Sequence, residues 1–283
     1  MAKRRKLQSQ KPSRTGGPPR PHPQQKKPPT TTKPGAASIP RRRHPQPPPE
    51  QPTVPFEPNH RILLIGEADL SFAASIIHHH GCAHVTATVL EKDLAELQAK
   101  YPHVDANITT IHDTDNRLVY AVDATKQLPT SVSRPPHDRI IFNFPHVGGK
   151  STDVNRQVRY NQELLVSFFQ RALPALAPRG SIIVTLFEGE PYTLWNIRDL
   201  GRHVGLQVER SFAFQASVYP GYHHARTLGV VKNKKGESGG GWKGEERPAR
   251  SYIFMRKGEV PLQPVSKKRQ RNNDDSSDDD NDE

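Results

Sequence analysis

Between residues 61 and 258, short runs rich in aliphatic and β-branched residues alternate with segments of helical periodicity, and this alternation limits the possible folds most strongly. The run RILLIG (61–66) predicts a buried strand, and a helical pattern follows until Gly81. The run HVTATVL (84–90) predicts a second strand, followed by a helix over 93–101. Alternation of this kind predicts an α/β fold with a mostly parallel sheet covered on both faces.

Five further runs predict strands: 117–122, 139–144, 181–187, 206–214 and 251–256. A long amphipathic helix is predicted over about 155–176, and another helix near 194–203. The last two strands are separated by an insertion at about 215–249 but by no helix, so we expect them to form an antiparallel pair. A seven-stranded sheet, mostly parallel with an antiparallel C-terminal strand pair, is the architecture of Rossmann-like methyltransferases.

The two ends of the chain lack the alternation, and we predict disordered tails over 1–59 and 259–283 around one domain over 60–258. Residues 1–60 hold 16 of the 28 prolines and 13 basic side chains against two acidic ones. The C-terminal segment places the basic cluster KKRQR at 267–271 before a run of acidic residues. Neither segment has enough apolar surface to offset the entropy of ordering it. Basic clusters of this kind suit nuclear import or contact with a polyanion.

Several classes of protein are excluded by composition. No apolar run approaches the ~20 residues that a membrane span needs, so we expect a soluble intracellular protein. The single cysteine, Cys82, excludes an intrachain disulfide and a site with several thiolate ligands. His78–His80, Cys82 and His84 do not have tetrahedral metal-ligand spacing, and we therefore expect no metal.

Three predicted strands end in residues that suit a nucleotide-like ligand. The turn GEADLSFA (66–73) follows the first strand, where backbone N–H groups and a helix N-terminus face a ligand in open α/β sheets. It is not GxGxxG, because Ala68 occupies the second glycine position, and Gly66 alone also fits a simple turn. Glu91 follows the second strand and suits ribose hydroxyls, whereas Asp123 follows the third and suits an adenine amino group. Either acid alone also fits a helix cap or a solvated loop charge.

At the end of the fourth strand, four residues are expected to lie opposite the predicted cofactor turn: Asn143, Phe144, Pro145 and His146. An amide that donates and accepts can read a base edge, and an aromatic ring can stack on a base. The same residues also fit a strand-to-turn corner in which the asparagine bonds its own backbone. The insertion adds four candidates for base or phosphate contact, which equally fit loop packing: Tyr222, His223, His224 and Arg226.

Six strings in this order resemble the Rossmann-like domain of the large-subunit rRNA uridine-N3 methyltransferases, a family of fungi and other eukaryotes. They are GEADLSFA, VLEKDLAELQAKYP, YAVDATKQ, IIFNFPHVGG, VTLFEGEPYTLWNI and YPGYHHARTLG, and the match covers about 61–257. The resemblance implies methylation of N3 of an rRNA uridine with S-adenosylmethionine, in the nucleolus. It places Gly66, Glu67 and Asp69 at the sulfonium end, Glu91 at the ribose, Asp123 near the adenine, and 143–146 at the target base.

One departure from the family is Ala68, where the family usually has glycine. The backbone approaches the cofactor most closely there, so the extra methyl group is a reason to expect weaker cofactor binding.

The chemistry of the implied reaction assigns further roles. Uridine N3 carries a proton at neutral pH, so alkylation requires a base or stabilisation of the developing anion. His146 is the predicted base, and Asn143 is predicted to donate to O4 or O2. We expect a monomer whose partner is large-subunit rRNA or the pre-ribosome, with no membrane. The alternatives are a non-catalytic RNA-binding ribosome-assembly factor of the same fold and an NAD-dependent oxidoreductase.

Overall fold

The structure, a computed structural model, describes residues 52–229 and 243–260. Seven strands are found in this part of the chain: β1 (Arg61–Leu64), β2 (His84–Thr88), β3 (Arg117–Val119), β4 (His137–Asn143), β5 (Leu176–Phe187), β6 (Leu206–Ala213) and β7 (Ala249–Arg256). The α-helices are α1 (Ser71–His78), α2 (Leu94–Lys100), α3 (Asp105–His112), α4 (Thr130–Ser133), α5 (Val154–Ala172) and α6 (Ile197–His203). Short 3₁₀ turns cover Leu173–Ala175, Tyr192–Trp195, Ala216–Val218 and Gly244–Glu246.

All seven strands form one sheet in the order β3-β2-β1-β4-β5-β7-β6. The pairs among β1 to β5 are parallel, whereas β7 runs antiparallel to both β5 and β6. The predicted α/β architecture with an antiparallel C-terminal pair is therefore confirmed. The strand order reverses between β1 and β4, which opens the crevice where such sheets bind ligands.

Both faces of the sheet are buried, as the continuous apolar strands require. Along β1 the side chains alternate: Leu63 packs with the cluster that contains α5, and Ile62 and Leu64 pack with the cluster that contains α1 and α3. In β5, Ile182 and Val184 take the first face and Ile183 the second. The period of two sends successive side chains to opposite faces, so these strands hold the sheet between two helical layers.

The element bounds differ from the predictions in places where short or polar elements carry little periodicity. The helices α3 and α4 were not predicted, because they have only eight and four residues and few apolar positions. The long helix α5 ends at Ala172 rather than near residue 176, because Pro174 cannot continue the helix. Strand β5 begins five residues early, at Leu176, and an irregular register with β4 accommodates the early start.

The N-terminal boundary also differs. Residues 52–59 were assigned to the tail, yet Pro55 and Phe56 are buried. The Phe56 ring packs against His80 and Tyr219, and Arg139 Nε donates to the Pro55 carbonyl over 3.0 Å. Most of the two predicted tails, with their basic clusters, lies outside the described residues.

Candidate active site

A cavity of about 350 Å³ opens at the carboxyl ends of β1 to β4. Of the twelve residues predicted for the site, eleven line it: Gly66, Glu67, Asp69, Glu91, Asp123, Asn143, Phe144, His146, Tyr222, His223 and His224. Arg226 does not line it; its backbone carbonyl accepts a hydrogen bond from the Tyr101 hydroxyl over 3.1 Å. Because parallel strands bring their carboxyl ends to one edge, residues far apart in sequence meet here.

The turn after β1 requires an unusual backbone. Gly66 has φ +64°, and a Cβ there would lie 2.8 Å from the Phe142 ring, so only glycine fits without a shift. Leu70, which precedes α1, also has a positive φ of 62°, a conformation that costs energy for a branched side chain. Ala68 does not have a positive φ, and its side chain packs against the core, so the backbone does not demand glycine at this departure from the family pattern.

The two carboxyl groups of this turn, those of Glu67 and Asp69, are shielded from solvent. Burial, and to a smaller extent the neighbouring Asp69, raises the pKa of Glu67 to about 8, although Ala73 N–H donates to it over 3.2 Å. Burial also raises the pKa of Asp69, against hydrogen bonds from the Ser71 hydroxyl and backbone. The turn therefore presents two acids that a bound cation would favour in their ionised form.

The acids after β2 and β3 differ in their surroundings. Glu91 is buried, and its Oε1 accepts from Lys100 Nζ at 2.5 Å. Asp123 is more exposed, and its Oδ1 accepts from the Thr125 amide and hydroxyl at 2.9 and 2.7 Å. Burial by itself would raise the pKa of Asp123, but the bonds from Thr125 and Lys126 outweigh it and lower the pKa. Asp123 thus closes a local turn with Thr125 while it also lines the cavity.

At the end of β4, the chain turns so that an amide and an aromatic ring face the cavity. Asn143 Oδ1 accepts from Thr185 Oγ1 over 2.8 Å, so the amide is bonded to a side chain rather than to its own backbone. Phe144 has φ 51°, and its ring contacts Phe187 and His224 at centroid distances of 4.6 and 4.4 Å. A strained aromatic residue held by other rings is suited to offering a fixed apolar surface.

His146 is held in one tautomer. Its Nδ1 accepts from the Gly148 N–H over 2.9 Å, and burial lowers the pKa of the ring. A neutral imidazole whose Nδ1 accepts carries its hydrogen on Nε2. The ring therefore offers a donor rather than a free lone pair, which argues against the predicted role of His146 as the base.

The loop that contains Tyr222 to Arg226 lies against the cofactor turn. The Ser71 hydroxyl is 3.0 Å from both the backbone N–H and the carbonyl of His223. Burial lowers the pKa of His224 to about 4, so this ring is neutral, and its Nδ1 lies 3.1 Å from the Tyr222 hydroxyl. The contacts of Ser71 with His223 attach the predicted substrate loop to the N-terminal end of α1.

Comparisons with known proteins identify the family. The model of a family described as BMT5-like rRNA (uridine-N3-)-methyltransferase matches residues 63–226. The 25S rRNA (uridine(2634)-N(3))-methyltransferase of Saccharomyces cerevisiae is 30% identical over 257 residues, covering 72% of this chain and 74% of the yeast protein. The chain belongs to the rRNA (uridine-N3-)-methyltransferase family.

Two further similarities are partial or distant. The heavy metal-associated isoprenylated plant protein 41 of Arabidopsis thaliana is 32% identical, covering 60% of this chain but 34% of that protein. A methyltransferase structure from Pyrococcus furiosus has 21% identity and a TM-score of 0.43, covering 70% of this chain and 76% of the other.

Membership of this family makes the chain an S-adenosylmethionine-dependent rRNA uridine-N3 methyltransferase. It supports the enzyme over the non-catalytic assembly factor and the NAD-dependent oxidoreductase. Among the residues that the structure describes, no three His, Cys, Asp or Glu side chains group as they would to hold a metal ion. Within the same residues, no helix has the length and apolar character to cross a bilayer.

Lys100, Tyr101 and Lys150 are among the cavity-lining residues of this methyltransferase that were not predicted from the sequence. Lys100 and Tyr101 end α2 and reach back to the end of β2, where Lys100 pairs with Glu91. Lys150 follows the glycines after His146 and brings a positive charge to the cavity. The predicted helix over 93–101 already implied that its last turn returns toward the strand end, and this was the signal available for Lys100 and Tyr101.

Proposed function

We propose that this chain methylates N3 of a uridine in large-subunit rRNA, with the cavity at the ends of β1 to β4 as the active site. The observation that supports this most directly is the joint lining of one cavity by the acidic turn of Glu67 and by the corner of Asn143 and His146. The first is suited to a cationic cofactor and the second to the edge of a base, so donor and acceptor would meet there.

The described residues fit S-adenosylmethionine. The cofactor supplies an activated methyl group on a sulfonium cation, together with an ammonium group and a ribose. Glu67 and Asp69, whose pKa values are raised by burial, would hold the positive end. Glu91 would accept from the ribose hydroxyls, with Lys100 keeping the other side of its carboxylate in place.

Asn143 and His146 would stabilise the uracil anion. As the N3 proton leaves, negative charge develops on O4 and O2 of the ring, where N–H donors stabilise it. The amide of Asn143 and Nε2–H of His146 are two such donors at the rim of one cavity. His146 then assists proton loss without taking the proton.

Glu67 is the proton acceptor that the cavity offers best. Its pKa of about 8 is well above that of an ordinary carboxyl, which brings its proton affinity closer to that of an imide N–H. It lies on the turn assigned to the sulfonium end, and the acceptor nitrogen must approach that end for transfer. A bound cation would lower this pKa below 8, so the carboxylate would be ionised and able to accept the proton, with a smaller proton affinity than in the cofactor-free protein.

The partner of the whole protein would be large-subunit rRNA or a pre-ribosome, and the compartment the nucleolus. The support is the basic clusters at 3–6, 41–43 and 267–271, all outside the described residues. Imaging of a fluorescent fusion tests the compartment, and loss of nucleolar signal on removing these clusters is expected.

The function is tested with purified full-length protein, S-adenosylmethionine and transcripts of large- and small-subunit rRNA. Nucleoside mass spectrometry should detect 3-methyluridine in the large-subunit transcript alone. Methylation of another atom, or of both transcripts equally, would contradict the proposal. Pre-ribosomal particles from a strain lacking the protein serve as a second substrate, because a naked transcript lacks the assembled target.

A further inference from the structure

A chain of buried side chains crosses three strands behind Asn143. In the sheet, Asn143 of β4 is the register partner of Thr185 of β5, and Thr185 is the register partner of Ser251 of β7. Side chains of register partners project from the same face, so the three polar groups are placed in a row. The hydroxyl of Thr185 lies 2.8 Å from Asn143 Oδ1 and 2.9 Å from Ser251 Oγ.

The amide of Asn143 has its Oδ1 facing Thr185, and this orientation gives the row of hydrogen bonds one direction. Thr185 has one hydroxyl hydrogen and donates it to Asn143 Oδ1, so it must accept from the Ser251 hydroxyl. Thr185 and Ser251 are 1% and 2% exposed, which leaves little access for water to replace either bond. Ser251 therefore donates to Thr185, and Thr185 donates to Asn143.

The amide nitrogen of Asn143, unlike its oxygen, makes no hydrogen bond with the described residues. This atom, Nδ2, is buried. A buried donor without a partner is costly, and in an enzyme it is commonly kept for a ligand. Asn143 lines the cavity, so the ligand available to this amine is the target base.

A fixed amide orientation has a chemical consequence for base choice. At position 4, uracil has a carbonyl that accepts a hydrogen bond, whereas cytosine has an amine that donates one. Cytosine N3 also has a free lone pair, so its alkylation needs no proton removal, and only recognition can exclude it. With its nitrogen facing position 4, the amide donates to O4 of uracil but meets a second donor, the N4 amine, in cytosine. At O2 the two bases are alike, so the selectivity requires that Asn143 faces O4.

We propose that Thr185 and Ser251 are positioning residues that lock the amide nitrogen of Asn143 towards the cavity and so make the site select uracil over cytosine. This inference rests on the proposed function, since it takes a uridine as the methylated base. Neither residue touches the base itself; each acts through Asn143.

The test is single-turnover methylation of two RNAs that differ only in uridine or cytidine at the target. Thr185→Val keeps the shape but removes the hydroxyl, so the amide is free to turn. We expect the rate on uridine to fall about tenfold or more and 3-methylcytidine to appear, with unchanged binding of S-adenosylmethionine. Thr185→Ser should restore both rate and selectivity. Thr86→Val, a buried change in β2 away from Asn143, should leave both unchanged.

The outcomes separate the inference from the proposed function. If the wild-type protein forms 3-methyluridine and Thr185→Val keeps its rate and selectivity, the positioning role is wrong and the function stands. If the wild type methylates neither RNA, the side-chain amide signal of Asn143, assigned by its loss in Asn143→Asp, still tests the lock by NMR. That signal should shift or broaden in Thr185→Val and not in Thr86→Val; an unchanged signal overturns the inference.

Discussion

Burial in the folded protein strongly alters the ionisation of the Glu67 carboxyl group. Its pKa is about 8 in the folded protein, against an ordinary value of 4.5. Between these values the unfolded chain has released the proton and the folded chain keeps it, so the folded state loses stability as the pH rises from 4.5 to 8. This cost of burying a charge follows from the place of Glu67 in the fold and does not depend on activity.

Glu67→Gln removes that cost and still allows Ala73 N–H to donate to the side chain. In cofactor-free protein at pH 8, we expect the variant to be more stable by about 2 kcal/mol or more, or about 4 °C or more in Tm. At pH 4 the two proteins should have the same Tm, because both folded and unfolded Glu67 are then protonated. Thermal unfolding from pH 4 to 8 measures the difference. A constant offset across this range would show that Glu67 is not the titrating group.

Substitutions of His146 distinguish a role as hydrogen-bond donor from a role as the base that removes the N3 proton. If Nε2–H donates to the developing anion, His146→Ala should lower single-turnover methylation by about 100-fold, whereas His146→Gln, which keeps an N–H donor at a similar reach, should recover most of it. Glutamine cannot act as a base at neutral pH. Equal losses in the two variants, with unchanged cofactor binding in both, would restore the role of base to His146.

At the scale of elements, periodicity predicted the sheet well because long apolar strands have no other way to be buried. The runs at 61–66 and 139–144 became β1 and β4 with shifts of one or two residues, and the run at 181–187 became the C-terminal part of β5. The helix α3 was missed because its burial is nearly confined to Ile111. A helix with one buried residue is stabilised by tertiary packing, and its sequence lacks the apolar periodicity from which a helix is predicted.

The candidate site was predictable wherever residues follow strands, and less so elsewhere. Asn143 could be placed at the sheet edge because it ends a strand, but the partner of its amide, Thr185, is set by the β4–β5 register. Sequence spacing does not give that register. The tautomer of His146 likewise depends on a turn that brings Gly148 N–H to Nδ1.

The loop over 219–229 is attached to the start of α1 by a hydrogen bond between His223 and Ser71. The Ser71 hydroxyl accepts from His223 N–H, so Ser71→Ala should free this loop. Hydrogen exchange of the peptide over 219–229 should then speed up by about tenfold, the effect of losing one such bond. Ser217→Ala, at an exposed serine nearby, is the matched control. Unchanged exchange in Ser71→Ala would mean that the loop is held by its aromatic contacts alone.

At the scale of the whole molecule, the basic residues of the N-terminal segment and the first buried residues of the domain lie in separate stretches of the chain. Residues 1–51 carry 13 basic side chains, and the described part begins at residue 52, shortly before the buried Pro55 and Phe56. A segment rich in basic residues adds affinity for RNA mainly by releasing counterions, and such affinity depends strongly on salt. We therefore expect residues 1–51 to contribute RNA affinity and the short stretch that follows to contribute stability.

Two truncations separate these roles, because both remove the same basic residues and only one removes Phe56. Removal of 2–51 should weaken binding to long RNA and flatten its salt dependence, by a slope of about 0.9 for each phosphate that the protein no longer neutralises, while Tm stays the same. Removal of 2–60 should give the same salt dependence but lower Tm by roughly 6 °C or more, since removing a buried Phe side chain costs about 3 kcal/mol or more. Salt titrations of RNA binding and thermal unfolding measure the two effects. A fall in Tm on removing 2–51 would show that the basic segment itself packs on the domain.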